Sequence, residues 1–284
     1  MLYTTPIFHL SKGTRSSMSA YFEIAYAAAS GKLCFFTGTG FSKAVTGNAA
    51  PGWQALLETM CGRLPNGARL RDALFPSGAS NPLPLEEAAQ IVEIELSGIG
   101  LSLHQEIANY ISSISLSGDN SVIISFIKNR AFDVVTTNYD KLFEHLVGDS
   151  NCHSVAPGLP VPRSTSPVRI YHVHGSIDVP NQMVVTSNDY FRFLSGDSYF
   201  SRKLSTILHE NTVVILGYSL GDTNLKSILS DYKGFSRSNV IGGNIILVSR
   251  DGVAQHIKDY YAHSFGIRVL GARPSNRFGT LAAG

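Results

Sequence analysis

The sequence predicts an α/β fold: a Rossmann-like, doubly wound parallel sheet of about six strands carrying an inserted helical module. Three observations lead to it. Short runs rich in Val, Ile, Leu and Phe recur without strict polar alternation, the pattern of strands buried on both faces. Helix-compatible segments separate these runs, and strand–helix–strand order implies parallel pairing. The motifs richest in chemistry each follow such a run directly, at the strand ends where open α/β sheets bind ligands.

Taken in order, Met18 to Ser30 is apolar but carries Glu23 and ends at Ser-Gly, which reads as an amphipathic helix. The candidate strands are Lys32 to Thr37, Phe132 to Thr136, Arg169 to Val173, Thr212 to Leu216, Asn244 to Val248 and Gly266 to Leu270. Candidate helices are Trp53 to Arg63, Ser121 to Arg130, Asp140 to Val147, Tyr199 to Glu210, Asp222 to Tyr232 and Val253 to His263. Residues 66–116 interrupt the alternation. They open with a Pro/Gly/Ser-rich stretch and become helical from Leu85 to about Ser115, as an insertion or lid on the sheet. Asn151 to Pro167, with prolines at 157, 160, 162 and 167, reads as a loop. The domain is expected to span 1–270, followed by a non-periodic tail, 271–284, that frays or binds a partner.

Composition narrows the class. Of 284 residues, 44% are hydrophobic and 15% charged, a globular balance and too apolar for a disordered chain. The formal charge of +2 argues against a dedicated polyanion binder, so direct nucleic-acid binding is not expected. No apolar run reaches the roughly 18 residues of a membrane span. Cys34, Cys61 and Cys152 are odd in number and far apart, with no CxxC pair. They exclude a four-cysteine zinc site within one chain and point to a reducing cytoplasm.

Four motifs carry candidate chemistry. Thr37-Gly38-Thr39-Gly40-Phe41-Ser42 follows the first strand. Its glycines either let the backbone approach a phosphate or simply make a tight turn. It has no third glycine at the dehydrogenase spacing and no Gly-Lys-Ser/Thr of a P-loop. In Thr136-Thr137-Asn138-Tyr139-Asp140, Asn138 offers a donor and an acceptor for a sugar hydroxyl or a water. Asp140 is a ribose ligand or, on its own evidence preferably, a helix cap. In His172-Val173-His174-Gly175-Ser176 the two histidines fall on one side of a continuing strand, yet no third metal ligand accompanies them. A structural histidine is the alternative for either, and Gly175 would let His174 project into a cleft. Finally, Gly217-Tyr218-Ser219-Leu220-Gly221-Asp222 places Gly217 and Ser219 for phosphate or ribose contact, or Asp222 as a cap, or both.

Taken as an ordered set, Gly-x-Gly-x-Ser, Thr-x-Asn-Tyr-Asp, His-Gly-Ser and Gly-Tyr-Ser-x-x-Asp resemble the sirtuin superfamily. Over Gly31 to Arg250 they are most similar to its bacterial branch in anti-phage defence systems. The resemblance implies that Gly38, Thr39, Gly40 and Ser42 line the phosphates of NAD+, with Phe41 and Tyr218 standing in the same motifs. It makes Asn138 and His174 the catalytic residues, Asp140 a support of the ribose pocket, and Gly217 and Ser219 contacts to phosphate and adenosine ribose. Trp53 or Phe41 would wall the nicotinamide, although core packing suits Trp53 better. Three features depart from protein-deacylating sirtuins: Thr39 stands in place of alanine, Pro51-Gly52-Trp53 closes the loop, and the zinc module is missing.

The activity implied is NAD+ glycohydrolysis, releasing nicotinamide and ADP-ribose and depleting NAD during phage infection, an abortive-infection effector that needs no zinc. His174 is given general-base work, for which a pKa near the unperturbed 6.5 is suited. A non-catalytic NAD or ADP-ribose sensor or assembly module is the alternative, and an NAD-dependent deacylase is disfavoured. Because free NAD destruction harms the host, gating is expected. It would come from homo-oligomer formation through the helices near Leu85 to Ser115, or from a separate partner such as a hexameric ATPase or translocase. The chain's end soon after the expected fold points toward that separate partner.

Overall fold

The strands form where the sequence concentrates β-branched and aromatic residues, and nearly all of those side chains are buried. In the computed structural model, which describes residues 12–128, 130–161, 165–195, 199–219, 244–250 and 252–271, seven strands make one sheet. They are β1 (Leu33–Thr37), β2 (Phe132–Thr136), β3 (Cys152–Val155), β4 (Val168–His172), β5 (Thr212–Leu216), β6 (Ile245–Ser249) and β7 (Ile267–Gly271). Their order is β3-β4-β2-β1-β5-β6-β7, and every pairing is parallel. The described helices are α1 (Lys12–Ala29), α2 (Thr39–Val45), α3 (Trp53–Cys61), α4 (Gly67–Leu74), α5 (Leu85–Ser97) and α6 (Leu103–Ser112). They continue with α7 (Ser121–Ile127), α8 (Leu142–Val147), α9 (Ser187–Ser195), α10 (Tyr199–Glu210) and α11 (Gln255–Phe265).

Alternate residues of each strand feed opposite faces of the sheet. Cys34, Phe36, Val135, Val213 and Ile215 pack with Leu204, Ile207 and Leu208 of α10 and Tyr261 of α11. Leu33, Phe132, Val134, Ile170 and Val214 pack on the other face with Phe41 and Val45 of α2, Ile127 of α7, and Leu142 and Phe143 of α8. A third core joins α3, α4, α5 and α6 through Leu57, Met60, Leu96, Leu103 and Ile107. It also takes in Tyr139, Met183 and Val185, so the inserted helices rest directly on the loops at the sheet's carboxyl end.

The α/β Rossmann-like class is as expected, with one strand more. Cys152–Val155, read as part of a proline-rich loop, pairs with β4 as the edge strand β3. The prolines begin only at Pro157, so nothing in this segment forbids a ladder. The helix expected from Leu85 to about Ser115 is two helices, broken at Gly98-Ile99-Gly100, where Gly100 has φ +78° and Ser102 caps α6 by accepting from Gln105 N. The Pro/Gly/Ser-rich opening of the insertion contains α4, and α9 has no counterpart among the expected helices. The expected helix from Asp222 to Tyr232, the motif's end Leu220-Gly221-Asp222 and the tail beyond Gly271 lie outside the described residues. No helix of the described residues is long and apolar enough to cross a membrane.

The chain runs from β1 to β2 and on to β3 and β4 on one side. It then returns to lay β5 against the other side of β1 and proceeds outward to β6 and β7. The direction of winding therefore reverses between β1 and β5, the position where such sheets open a ligand crevice beyond their carboxyl ends.

Candidate functional site

At that crevice the first and last motifs lock together through backbone. Gly38 N donates to Leu216 O (3.0 Å) and Gly40 N to Gly217 O (2.9 Å). A Cβ on Gly217 would lie 2.1 Å from Phe41 N, and its φ is +76°, so only glycine fits there. The ring of Tyr218 covers Gly38, where an added Cβ would meet it at 2.7 Å, and its hydroxyl is 2.6 Å from Thr137 Oγ1.

The second motif leaves β2 in a turn tied back to β1. Thr136 Oγ1 donates to Thr37 O (3.1 Å) and accepts from Asn138 N (3.1 Å). Asn138 Nδ2 donates to Ser42 Oγ (2.8 Å), and Ser42 Oγ donates to Asp140 Oδ2 (2.7 Å). Ser42, from the glycine motif, thus joins the two polar residues of the Asn-Tyr-Asp motif. Asp140 Oδ1 also accepts from Leu142 N (3.2 Å), the first residue of α8, so it serves that helix and the cleft together. Burial pushes the Asp140 carboxyl up, against the opposing hydrogen bonds from Ser42 and Leu142.

The two histidines of the third motif part company. β4 ends at His172, and Gly175 takes φ +84° in a turn so tight that a Cβ would meet Met183 Cα at 2.7 Å. The chain therefore does not continue as the strand on which both rings would share a side. His172 is fully buried, with Nδ1 3.1 Å from Asn138 O and Nε2 2.8 Å from Glu144 Oε1. Burial opposes its charge, but the Glu144 carboxylate holds its pKa above the usual histidine value. Glu144 is likewise desolvated, yet His172 and Lys141 draw it down to about 2. His174 enters the cleft instead, with Tyr190 and Phe193 of α9 set edge-on to its ring at 5.5 and 5.0 Å. Its ring makes no hydrogen bond among the described residues, and burial lowers its pKa to about 4, below the 6.5 expected from sequence.

These elements enclose a cavity of about 380 Å³. Of the residues expected at the site, Thr39, Gly40, Ser42, Asn138, Asp140, His174, Gly217, Tyr218 and Ser219 line it, and Gly38 does not. Phe41 turns its ring away into the core, stacked on Phe143 at 5.2 Å, because the helix starting at Thr39 carries its side chain onto the sheet. Trp53 does wall the cleft, edge-on to Tyr139 at 6.1 Å, while packing against the core of the inserted helices. Lys43 and Tyr190 also line the cavity and were not anticipated. Tyr190 sits in a helix with no motif, and Lys43, one residue past the glycine motif, was the more legible of the two.

A doubly wound parallel sheet whose four strand-end motifs converge on one switch-point crevice defines a Rossmann-like domain with its cleft beyond the carboxyl ends of the strands. Residues 133–270 match the SIR2-like domain family, a stretch that holds Asn138, Asp140, His174 and Gly217 to Ser219. It is 34% identical over 110 residues to the NAD(+) hydrolase ThsA of Enterococcus faecium, covering 37% of this chain and 23% of the relative. Against the defense-associated sirtuin 2 of Bacillus subtilis it is 22% identical over 255 residues, covering 88% of this chain and 24% of the relative. A second NAD(+) hydrolase ThsA, from Bacillus cereus, is 29% identical over 99 residues, 34% of this chain and 21% of the relative. The chain thus spans about a quarter of the length of the curated relatives it matches.

Proposed function

We propose that this protein is an NAD+ glycohydrolase acting in anti-phage defence. The reaction adds water across the nicotinamide–ribose bond: NAD+ and water give nicotinamide, ADP-ribose and a proton. The observation that carries the reading is the Asn138–Ser42–Asp140 chain of hydrogen bonds lining the same cavity as His174, at the switch point of the sheet. The NAD(+) hydrolase activity for which the ThsA relatives are named supports it.

In this reading the backbone of the Thr39–Ser42 turn and of Gly217 to Ser219 approaches the phosphates, and Tyr218 closes one side. Asn138, its amide aimed by Ser42, holds the ribose and the attacking water. Neutral His174 accepts a proton or hydrogen bond from a ribose hydroxyl or that water as positive charge grows on the ribose. General-base assistance of this kind contributes about 10²–10⁴-fold. The domain spans 1–270 with the helical insertion at 66–116, no zinc takes part, and turnover in the cytoplasm is gated by self-association or by a separate partner protein.

Nicotinamide release from NAD+ tests the activity. Asn138→Ala and His174→Ala should each abolish it while circular dichroism stays that of the folded protein; full activity in either variant removes that residue from the mechanism. A binding module without turnover is the second reading, favoured by the absence of a hydrogen-bonding partner to orient His174 among the described residues. Calorimetric binding of ADP-ribose, with no nicotinamide released alone or with neighbouring gene products, would establish that reading instead.

A further inference from the structure

His172 and Glu144 are buried beside the cleft and take no part in the chemistry just assigned. Their hydrogen bonds determine where the protons sit. His172 Nδ1 faces the Asn138 carbonyl oxygen, which can only accept, so Nδ1 carries a proton. Nε2 faces Glu144 Oε1 at 2.8 Å. That oxygen also accepts from Ser154 Oγ and has Lys141 Nζ at 3.2 Å, so its lone pairs are already committed to donors. A carboxyl proton there would displace them, and the proton in this contact therefore belongs to the ring. Both ring nitrogens are donors, and His172 is an imidazolium inside the protein.

We infer that His172, kept charged by Glu144, is the positioning residue of the cleft: its Nδ1–H bond to the Asn138 carbonyl holds the turn from which the Asn138 amide reaches Ser42. The inference rests on Asn138 acting in the site. The groups facing the ring are Glu144 of α8, Lys141 just before that helix and, more weakly, Asp140 of the turn itself, so one buried carboxylate is the ring's close counter-ion. The direction of the His172 and Glu144 pKa values agrees with this charge state. The register of the sheet makes the contact possible, since His172 lies opposite Thr136, two residues before Asn138. A sequence reading pairs His172 with His174, whereas the fold pairs it with a glutamate 28 residues earlier.

Two substitutions separate the ring's two bonds. In His172→Gln the amide reaches Glu144 as Nε2 did and loses Asn138. In the double variant H172N/E144Q the shorter amide stands where Nδ1 was and keeps Asn138, with no buried charge left unpaired. Steady-state NAD+ hydrolysis, normalised to folded protein, should show kcat of H172Q down on the order of 10–100-fold with KM within about twofold, the scale of a displaced catalytic group. H172N/E144Q should recover kcat to within about threefold of the parent. Equal kcat for H172Q and the parent, or equal losses in both variants, overturns the positioning role. The charge state is read without turnover: nitrogen-15 NMR of the parent should show two protonated ring nitrogens for His172 at about pH 6.5, where an unperturbed imidazole is half-titrated. A single ring proton there refutes the inference. Two ring protons in a protein that releases no nicotinamide would instead fault the glycohydrolase reading. In that case the Asn138 side-chain amide resonances must still shift in H172Q and not in H172N/E144Q, or the positioning role falls too.

Discussion

Ser42 does more at the cleft than its place in a glycine-rich turn announces, because it accepts from Asn138 and donates to Asp140. Ser42→Ala removes both bonds and leaves a buried carboxylate short of a donor. It should cost about 1–3 kcal/mol in urea unfolding, the penalty of an unsatisfied buried group, and lower kcat for NAD+ hydrolysis more than it raises KM. His174 gives a pH prediction at the same scale. Burial lowers its folded pKa to about 4 from an unfolded value near 6.5, so folding favours the neutral ring. That contribution is fully present above pH 6.5 and is lost as pH falls toward 4. The acid limb of kcat/KM should accordingly fall near pH 4, and a limb centred at 6.5 would contradict the burial. Residue types at the strand ends made Asn138 and His174 legible as candidates. The lowered basicity of His174 was not legible, because it comes from Tyr190 and Phe193, which no motif ties to it.

Among the elements, the β1–α2 turn and the end of β5 are held at backbone contact, and this interlock leaves no room for a side chain at Gly217. Gly217→Ala brings a Cβ to 2.1 Å from Phe41 N at φ +76°. It should move the turn as well as strain it, lowering both thermal stability and NAD+ turnover. Gly100→Ala shares a positive φ, +78°, but has open space around it, so it should cost only about 1–2 kcal/mol and leave turnover per folded molecule unchanged. Calorimetric melting and an initial-rate assay on the two variants check the contrast. The glycine motifs showed where turns occur. That they face each other across β1 and β5 follows from strands 175 or more residues apart lying side by side, which local periodicity does not encode.

At the scale of the molecule, the inserted helices and the cleft share a core. Tyr139, between Asn138 and Asp140, packs with α3–α6 and donates its hydroxyl to Val184 O at 2.6 Å. Leu103→Ala, in the fully buried centre of that core, should destabilise by about 2–5 kcal/mol. Hydrogen exchange should then quicken in α5, α6 and the Tyr139 turn before it quickens in the sheet. The Glu144–His172 pair sets a pH window for the whole fold. Glu144, lowered to about 2, contributes stability above roughly pH 4.5 that is lost on acidification toward 2. His172, raised, contributes below roughly pH 6.5 and loses its share as pH rises through its folded pKa. The stability gap between the parent and Glu144→Gln should thus be widest between pH 4.5 and 6.5, as chemical denaturation across pH 3–8 would show.

The α/β class, six of the seven strands to within a residue or two, and the placement of four polar motifs at strand ends are legible in the order of residues alone. Each of these follows from short-range patterning: β-branched runs, helical periodicity, and glycines where a strand turns. That His172 goes to Glu144 while His174 goes to the cleft, that Phe41 faces the core, and that Cys152–Val155 is an edge strand emerge only in the assembled fold. Those outcomes depend on partners distant in the chain, on the exact residue where a strand stops, and on which face of a helix the sheet covers. A shift of one residue in any of these reverses the side on which a ring points.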